Sequence, residues 1–350
     1  MLTDNYENKI FPQANPNGHI LMLGKSGCGK TYAQCRFIED TLRNGGKVLV
    51  IDWSGSFSID ELKRAQLSSI YMKMLRVINL NEEKLKIILP DEGEPAWQLA
   101  EMAKIILDVD GRRQQEILEK ASLCTCREGN PSLVGLFEKL EALIDDYATE
   151  NEEEQRERAE MLAERLEPLI RKNCIDVVGF QECFECPSDL IIIQISALSD
   201  RLRKSCQMAV LWSVWKWAKI SKCPWQNIVL DEVQHLQVKD EVPSSLIREG
   251  RKYNISLHMS TQFLEGLDKE AIAVYQQAGN ILFFQPERSS FAKVAAMIDA
   301  DEKKFWMAKL RELQRGNAVI CGSYTINENT KVLTKPVVVK INKKSRFRKR

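Results

Sequence analysis

The chain has 350 residues, 44% hydrophobic and 28% charged, with a formal net charge of +1. This is the make-up of a soluble globular protein with chain enough for one large or two ordinary domains. The near-neutral balance excludes a uniformly basic, histone-like coat, although a local basic surface fits inside it. No apolar run approaches the roughly 20 residues that span a bilayer, the longest being Leu190 to Ile195 and Met208 to Val214. The N-terminus, with Asp4 and Glu7, has neither the basic start nor the apolar centre of a signal peptide. A cytoplasmic protein is expected, and its ten scattered cysteines suit reduced thiols.

In chain order, residues 1–18 are polar, rich in Asn and Pro, and expected to form an N-terminal arm. An apolar run, His19 to Leu23, then leads into Gly24-Lys25-Ser26-Gly27-Cys28-Gly29-Lys30-Thr31 and on into a helix-compatible stretch from Tyr32. The octapeptide meets every fixed position of GxxxxGK[ST], in the strand, loop, helix context the motif requires. Its glycines let successive backbone N–H groups turn inward around phosphates, and the positive end of the following helix adds to the anion site. Lys30 would reach the β- and γ-phosphates of ATP and the Thr31 hydroxyl would hold Mg²⁺.

The first helix should stop near Asn44-Gly45-Gly46, and Lys47 to Asp52 reads as a buried parallel strand closed by an acid, followed by a turn at Trp53 to Ser56. From 90 to 173 apolar residues recur at helical spacing, as in Leu136, Leu140, Leu143 and Ile144. Breaks fall at Asp110-Gly111 and Gly129-Asn130-Pro131, so an all-helical insertion is expected. The charge run Glu150 to Arg158 is a solvated helix face. Strands are predicted at Asp189 to Ile195, Ile228 to Leu230, Ile255 to Thr261, Asn280 to Gln285, Ala318 to Cys321 and Pro336 to Ile341. A helix from Leu198 to Ser221 carries Trp212, Trp215 and Trp217, which suit packing against a sheet better than stacking on bases. The alternation predicts an α/β fold with a mainly parallel sheet, helices on both faces and a helical insertion. The expected plan is an arm at 1–18, a core of 19–89 and 174–341, the insertion at 90–173 and a basic tail at 342–350.

Two later strands carry chemistry. Ile228-Val229-Leu230-Asp231-Glu232 is an apolar strand ending in two acids; Asp231 would bind Mg²⁺ and Glu232 would polarise the attacking water. Adjacent acids are common, and the signal gains its force from the phosphate loop at a distance that leaves room for an intervening strand. Ser260-Thr261-Gln262 closes another apolar strand, where Gln262 can touch the γ-phosphate or its water. The stretch before it carries Arg248 and Arg251, read as a helix leading into the strand. Either arginine could be offered to a neighbouring subunit's nucleotide, or simply decorate an exposed helix end.

Together GKSGCGKT, VLVIDWSGSF, IVLDEVQHL and LIREGRKYNISLHMSTQ resemble the HerA/FtsK superfamily of motor ATPases, above all HerA-type proteins and the ATPases of conjugative type IV secretion. The likeness runs from about residue 17 onward and includes the helical insertion and a closing GNAVICG strand. It implies a RecA-like fold, a homo-hexameric ring, Mg²⁺-dependent ATP hydrolysis at subunit interfaces, and movement of DNA or protein through a central pore. By motif position it puts Lys30, Thr31, Asp231, Glu232 and Gln262 in the active site, with Arg251 the better candidate for the trans arginine. DNA translocation is the favoured function. The alternative is an ATPase of the same fold that energises a secretion or conjugation channel, or scaffolds a partner nuclease, recruited by that partner to a membrane complex. Only about 18 residues precede the first motif strand, where HerA proteins carry a small β-barrel and conjugative ATPases a larger domain, so the likeness does not say how the motor is anchored.

Cys124-x-Cys126 and Cys183-x-x-Cys186 could together offer four thiolates to zinc, but the first spacing is short and the pairs lie far apart, so zinc is not expected. Cys28 is read as a small residue tolerated in the loop, with ATP binding made sensitive to alkylation or oxidation of its thiol as the alternative. The tail from Lys340 to Arg350 suits nucleic-acid phosphates, a membrane surface, or solubility alone, with nucleic acid favoured.

Overall fold

The structure, a computed structural model, describes all residues except 1, 5, 13–17, 91–92, 130, 182–187, 237–240, 263–268, 328–330 and 342–350. It falls into two compact units, one of residues 1–76, 187–192 and 225–350, the other of residues 77–186 and 193–224. The first opens with β1 (Leu2–Thr3), β2 (Lys9–Pro12), β3 (Ile20–Leu23), α1 (Lys30–Arg43), β4 (Val48–Asp52), α2 (Ile59–Arg64) and α3 (Ser69–Lys73). Then come β5 (Leu75–Asn79), β6 (Leu85–Pro90), α4 (Pro95–Ile106), α5 (Arg112–Arg127), α6 (Leu133–Thr149), α7 (Glu153–Lys172), β7 (Ile175–Gln181), β8 (Leu190–Gln194) and α8 (Asp200–Lys219). The chain ends with β9 (Asn227–Leu230), α9 (Glu241–Glu249), β10 (Ser256–Thr261), α10 (Lys269–Tyr275), β11 (Asn280–Phe283), α11 (Phe291–Ile298), α12 (Lys303–Glu312), β12 (Asn317–Gly322), β13 (Tyr324–Ile326) and β14 (Val337–Ile341).

In the first unit the sheet runs β13-β2-β1-β14-β12-β11-β3-β10-β9-β4-β8. From β11 to β4 the pairing is parallel, and every residue of β3 and β4 is buried, as strands covered on both faces demand. Alternate residues Ile20, Met22, Val48, Val50, Leu190 and Ile192 lie in the clusters that also hold Ala33, Cys35, Ile38 and Leu42 of α1, the period-two strand face meeting the helical stripe. Each fully buried side chain such as Ile38 contributes ~1.5–3 kcal/mol. The helix stops where expected: Gly45, at φ 75°, donates to Leu42 and Gly46 to Thr41, a glycine-closed end that frees the chain for β4.

Beyond β11 the sheet continues antiparallel through β12, β14, β1, β2 and β13. Here the expectation of a plain N-terminal arm is corrected. Leu2 and Ile10 are buried, and Leu2 pairs with Ile341 at the far end of the chain. Strands β1 and β2 each bury a single large apolar side chain, too few for a hydrophobic run, and besides each other they pair with β14 and β13, distant in sequence.

The second unit contains the four helices of the expected insertion, α4 to α7, but it is wider, taking in the parallel pair β6 and β7 and helix α8. Trp212, Trp215 and Trp217 are all buried, and the Trp217 indole donates to the Ile88 carbonyl at 3.0 Å, so they pack and offer no stacking platform. The charged stretch at the start of α7 forms exposed pairs along the helix, Arg156 with Glu160 at 3.0 Å and with Glu153 at 3.2 Å. No helix among the described residues is long and apolar enough to cross a membrane.

Candidate nucleotide-binding site

Strand β3 delivers the phosphate loop to the carboxyl edge of the parallel strands. Gly24 donates to the Thr261 carbonyl at 3.3 Å and Lys25 to that of Gln285 at 3.0 Å, so the loop starts tied to both flanking strands. Gly24 has no room for a side chain, because a Cβ there would lie 2.6 Å from the Phe284 Cβ and 2.9 Å from the Cys28 sulfur. Gly29 precedes α1 at φ 115°, in the left-handed half of conformational space that glycine adopts at little cost. Helix α1 has no side-chain N-cap and no acid in its first turn, leaving its positive end to the loop. Lys30 is buried and its Nζ donates to the carbonyls of Gly24 at 2.7 Å and Lys25 at 3.1 Å.

The acids arrive on β9, one strand removed from β3 across β10, which is the spacing expected for an intervening strand. Asp231 accepts from the Ser54 hydroxyl on one oxygen and from Ser260 at 3.2 Å on the other. Burial pushes the Asp231 carboxyl above the ordinary carboxylate range and neighbouring Glu232 adds to this, while the two serine hydrogen bonds act against it. Glu232 sits in the left-handed region at φ 52°, a placement that costs an L-residue ~1–2 kcal/mol and is typical of functional sites. Its carboxylate accepts from Gln234 at 2.7 Å and from Gln262. Thr261 in turn donates to Gln234 at 2.6 Å, so the end of β10 and the turn after β9 form one polar network.

A cavity of about 510 Å³ joins these parts, a volume suited to a nucleotide. Lys30, Thr31, Asp231, Glu232 and Gln262 all line it, together with Ser26, Gly27 and Gly29 of the loop. The hydroxyl of Thr31 and the carboxylate of Asp231 are the hard oxygen donors that Mg²⁺ takes. Gly24 and Lys25 support the loop from below rather than line the cavity. Cys28 is buried, and burial raises its thiol pKa against the pull of Lys30, the opposite of what a reactive thiolate needs.

Arg248 and Arg251 are not brought to this cavity. Helix α9 ends at Glu249, and Arg251 lies in a separate 3-10 turn, Gly250–Tyr253, rather than on the helix expected there. A Cβ on Gly250 would lie 3.4 Å from the His19 ring, which places the turn at the opposite end of β3 from the phosphate loop. Both arginines are exposed and carry no partner among the described residues.

Other residues in and behind the cavity wall were given no role by the sequence. Asp52, at the end of β4, accepts from the backbone N–H of Gly55 at 2.9 Å and Phe57 at 3.1 Å, clamping the turn that presents Ser54 to Asp231. Burial, with Asp231 second, pushes the Asp52 carboxyl up to about 7. The acid closing that strand was the visible signal; the turn's place in the cavity was not legible. Glu61 and Arg64 of α2 and Arg315 after α12 complete the walls. For zinc, the two positions Cys124 and Cys126 lie two apart on α5 and point away from one another. Cys183 and Cys186, like the basic tail 342–350, lie outside the described residues. No group of three or more metal-ligating side chains occurs among the described residues.

A phosphate loop closing one parallel strand, two acids closing the next but one, and a glutamine closing the strand between them define a RecA-like P-loop nucleotide-binding fold. Residues 16–212, more than half of the chain, match the family described as the central domain of helicase HerA, and the chain belongs to that family. The DNA double-strand break repair helicase HerA of Sulfolobus acidocaldarius is 22% identical over 98% of this chain and 68% of that protein. A probable helicase of Methanocaldococcus jannaschii is 20% identical over 93% of this chain and 62% of that protein, so the chain spans under two thirds of its length. Among solved structures, VirB4 of Thermoanaerobacter pseudethanolicus superposes with a TM-score of 0.64 at 16% identity, covering 97% of this chain and 95% of that one. The plasmid coupling protein TrwB in complex with a non-hydrolysable GTP analogue gives 0.64 at 14% identity over 93% and 85%. These structural likenesses concern the fold.

Proposed function

We propose that this protein binds ATP with Mg²⁺ in the cavity above the phosphate loop, hydrolyses it, and works as a homo-hexameric ring that translocates DNA. The observation that carries the reading is the convergence of Lys30, Thr31, Asp231, Glu232 and Gln262 on one cavity while Arg248 and Arg251 stand at the opposite end of β3. Arg248 and Arg251, held away from their own chain's cavity, can serve a nucleotide only in a neighbouring chain, which favours a ring. The HerA helicase relative supports DNA as the polymer, and TrwB, which has been seen with ADP and Mg²⁺, supports the cofactor.

In this reading Lys30 exchanges its bonds to the loop carbonyls for phosphate oxygens, and Thr31 and Asp231 hold the metal. Bound Mg²⁺ supplies neutralisation of the charge that develops on the phosphates. Glu232 polarises the attacking water and takes its proton, with Gln262 holding the carboxylate and sensing the γ-phosphate. Arg251 reaches a neighbour's nucleotide and stabilises the transition state, an effect worth ~10³ or more in rate. A cytoplasmic location and a nuclease or conjugation partner go with this proposal.

The test is ATP hydrolysis with and without duplex and single-stranded DNA. Lys30→Ala should abolish nucleotide binding or turnover, and Glu232→Gln should lower turnover ~10²–10⁴-fold while holding ATP. Normal turnover in either variant removes the site. Hydrolysis that DNA leaves unchanged removes translocation and leaves the secretion or scaffold role. Mixing Arg251→Ala with Glu232→Gln subunits should restore activity, and no restoration removes the shared site.

A further inference from the structure

The geometry points to Arg315 as a second, cis-acting arginine of the nucleotide site, contacting the phosphates of the nucleotide bound by its own chain. This rests on the nucleotide-binding reading above and adds to it a residue outside every sequence motif. Six charged side chains line the cavity: Lys30, Glu61, Arg64, Asp231, Glu232 and Arg315. Five have partners. Lys30 donates to the Gly24 and Lys25 carbonyls, Arg64 pairs with Glu61, Asp231 accepts from Ser54 and Ser260, and Glu232 accepts from Gln234 and Gln262. Arg315 has none among the described residues. Arg315 is thus the lining charge whose donors are left open, and an unengaged guanidinium suits an anion with oxygen acceptors.

Its backbone is fixed to the phosphate loop rather than left to wander on a surface turn. The next residue, Gly316, donates to the Cys28 carbonyl at 2.9 Å and accepts from Ile341 of β14 at 2.8 Å. Gly316 stands at φ 83°, and a Cβ on Gly29 would come within 3.2 Å of its Cα and N. The antiparallel wing thus presses the Arg315 turn against the residues that open α1, where loop N–H groups and the helix's positive end gather phosphate. Arg315 shares its chain with that loop, whereas Arg251 stands at the far end of β3. The two arginines therefore answer to different subunits, Arg315 in cis and Arg251 in trans.

The experiment titrates mant-ADP with Mg²⁺ into wild type, Lys30→Ala, Arg315→Ala, Arg315→Lys and, as a control on exposed α12, Lys309→Ala. Arg315→Ala should weaken binding at least tenfold, about 1.4 kcal/mol, with Arg315→Lys between it and wild type and Lys309→Ala unchanged. Thermal melting checks that each variant is folded, and an exposed side chain makes loss of fold unexpected. Arg315→Ala subunits mixed with Glu232→Gln subunits should fail to regain turnover, because each cavity keeps its own defect. If wild type binds in a Lys30-dependent way but Arg315→Ala matches it, the inference is overturned while the site stands. Regained turnover in the mixture overturns the cis assignment. If wild type and Lys30→Ala both fail to bind, the nucleotide-binding reading itself falls.

Discussion

Substituting Gly29 by alanine tests how the cavity is built, with Gly45→Ala as its matched control. Both glycines have positive φ, 115° and 75°. Nothing lies within 4 Å of a Cβ at Gly45, whereas at Gly29 the Cβ meets Gly316 backbone atoms at 3.2 Å. Gly45→Ala therefore reports backbone conformation alone, ~1–2 kcal/mol. Gly29→Ala bears that cost and must also push the 314–316 turn away from the loop, breaking or stretching the hydrogen bond from Gly316 to Cys28, another ~0.5–1.5 kcal/mol. At ~2–4 °C per kcal/mol for a unit of this size, Gly45→Ala should lower the melting temperature by ~2–8 °C and Gly29→Ala by several degrees more. Only Gly29→Ala should lose affinity for mant-ADP, because only it shifts loop N–H groups and Arg315 together. Melting curves and titrations on the same preparations measure both. Equal melting shifts with affinity kept in Gly29→Ala would refute the claim that the turn is seated on the loop.

Two further predictions concern stability. Burial pushes His19 down to about 4 and His258 down to about 3, so both are neutral when folded and titrate near 6.5 when unfolded. Their folded pKa values are depressed, so the native state loses stability as pH falls below 6.5, by ~2 kcal/mol per histidine at pH 5; His258→Gln should flatten the melting profile between pH 6.5 and 4, and an unaltered slope would remove this account. Arg36 and Glu39 form a buried pair at 2.8 Å on α1, where Arg36 also donates to the Ala65 carbonyl and Glu39 accepts from the Ser68 N–H at 2.7 Å. Arg36→Ala strands a buried carboxylate and should cost ~3–5 kcal/mol, while an apolar replacement of both residues recovers much of it; a melting temperature within a degree of wild type would show that the pair does not hold α1 to the 65–68 turn.

What was legible in the sequence follows the physics of each region. The parallel strands β3, β4, β9 and β10 are buried on both faces, so each writes an apolar run into the sequence, and the glycines and acids at their ends stand out against it. Strands β1, β2 and β13 write almost nothing: two to four residues each, partners in pairs such as Leu2 with Ile341 and Ile10 with Ile326, and loops whose Asn and Pro content imitates an arm. Helix α9 ends sooner than the sequence predicts, for a local reason. Gly250 and the left-handed Asn254 tighten the chain into a 3-10 turn before β10, which turns Arg251 off the helix.

The illegible wing is also what finishes the site. Phosphate loops are recognised because their own glycines cradle phosphate, and nothing in the octapeptide announces that a turn some 285 residues later closes over Cys28 and Gly29. That turn is held from behind by Ile341 of β14, and β14 is held by β1, so the first and last strands of the described chain set the position of Arg315. A change in nucleotide that moves the loop should move the Gly316 turn with it, since the Gly316 N–H is bonded to the Cys28 carbonyl at 2.9 Å. The antiparallel wing is therefore a lever on the cavity as well as a cover for the core, and loosening β1 should weaken nucleotide binding before it unfolds the parallel strands.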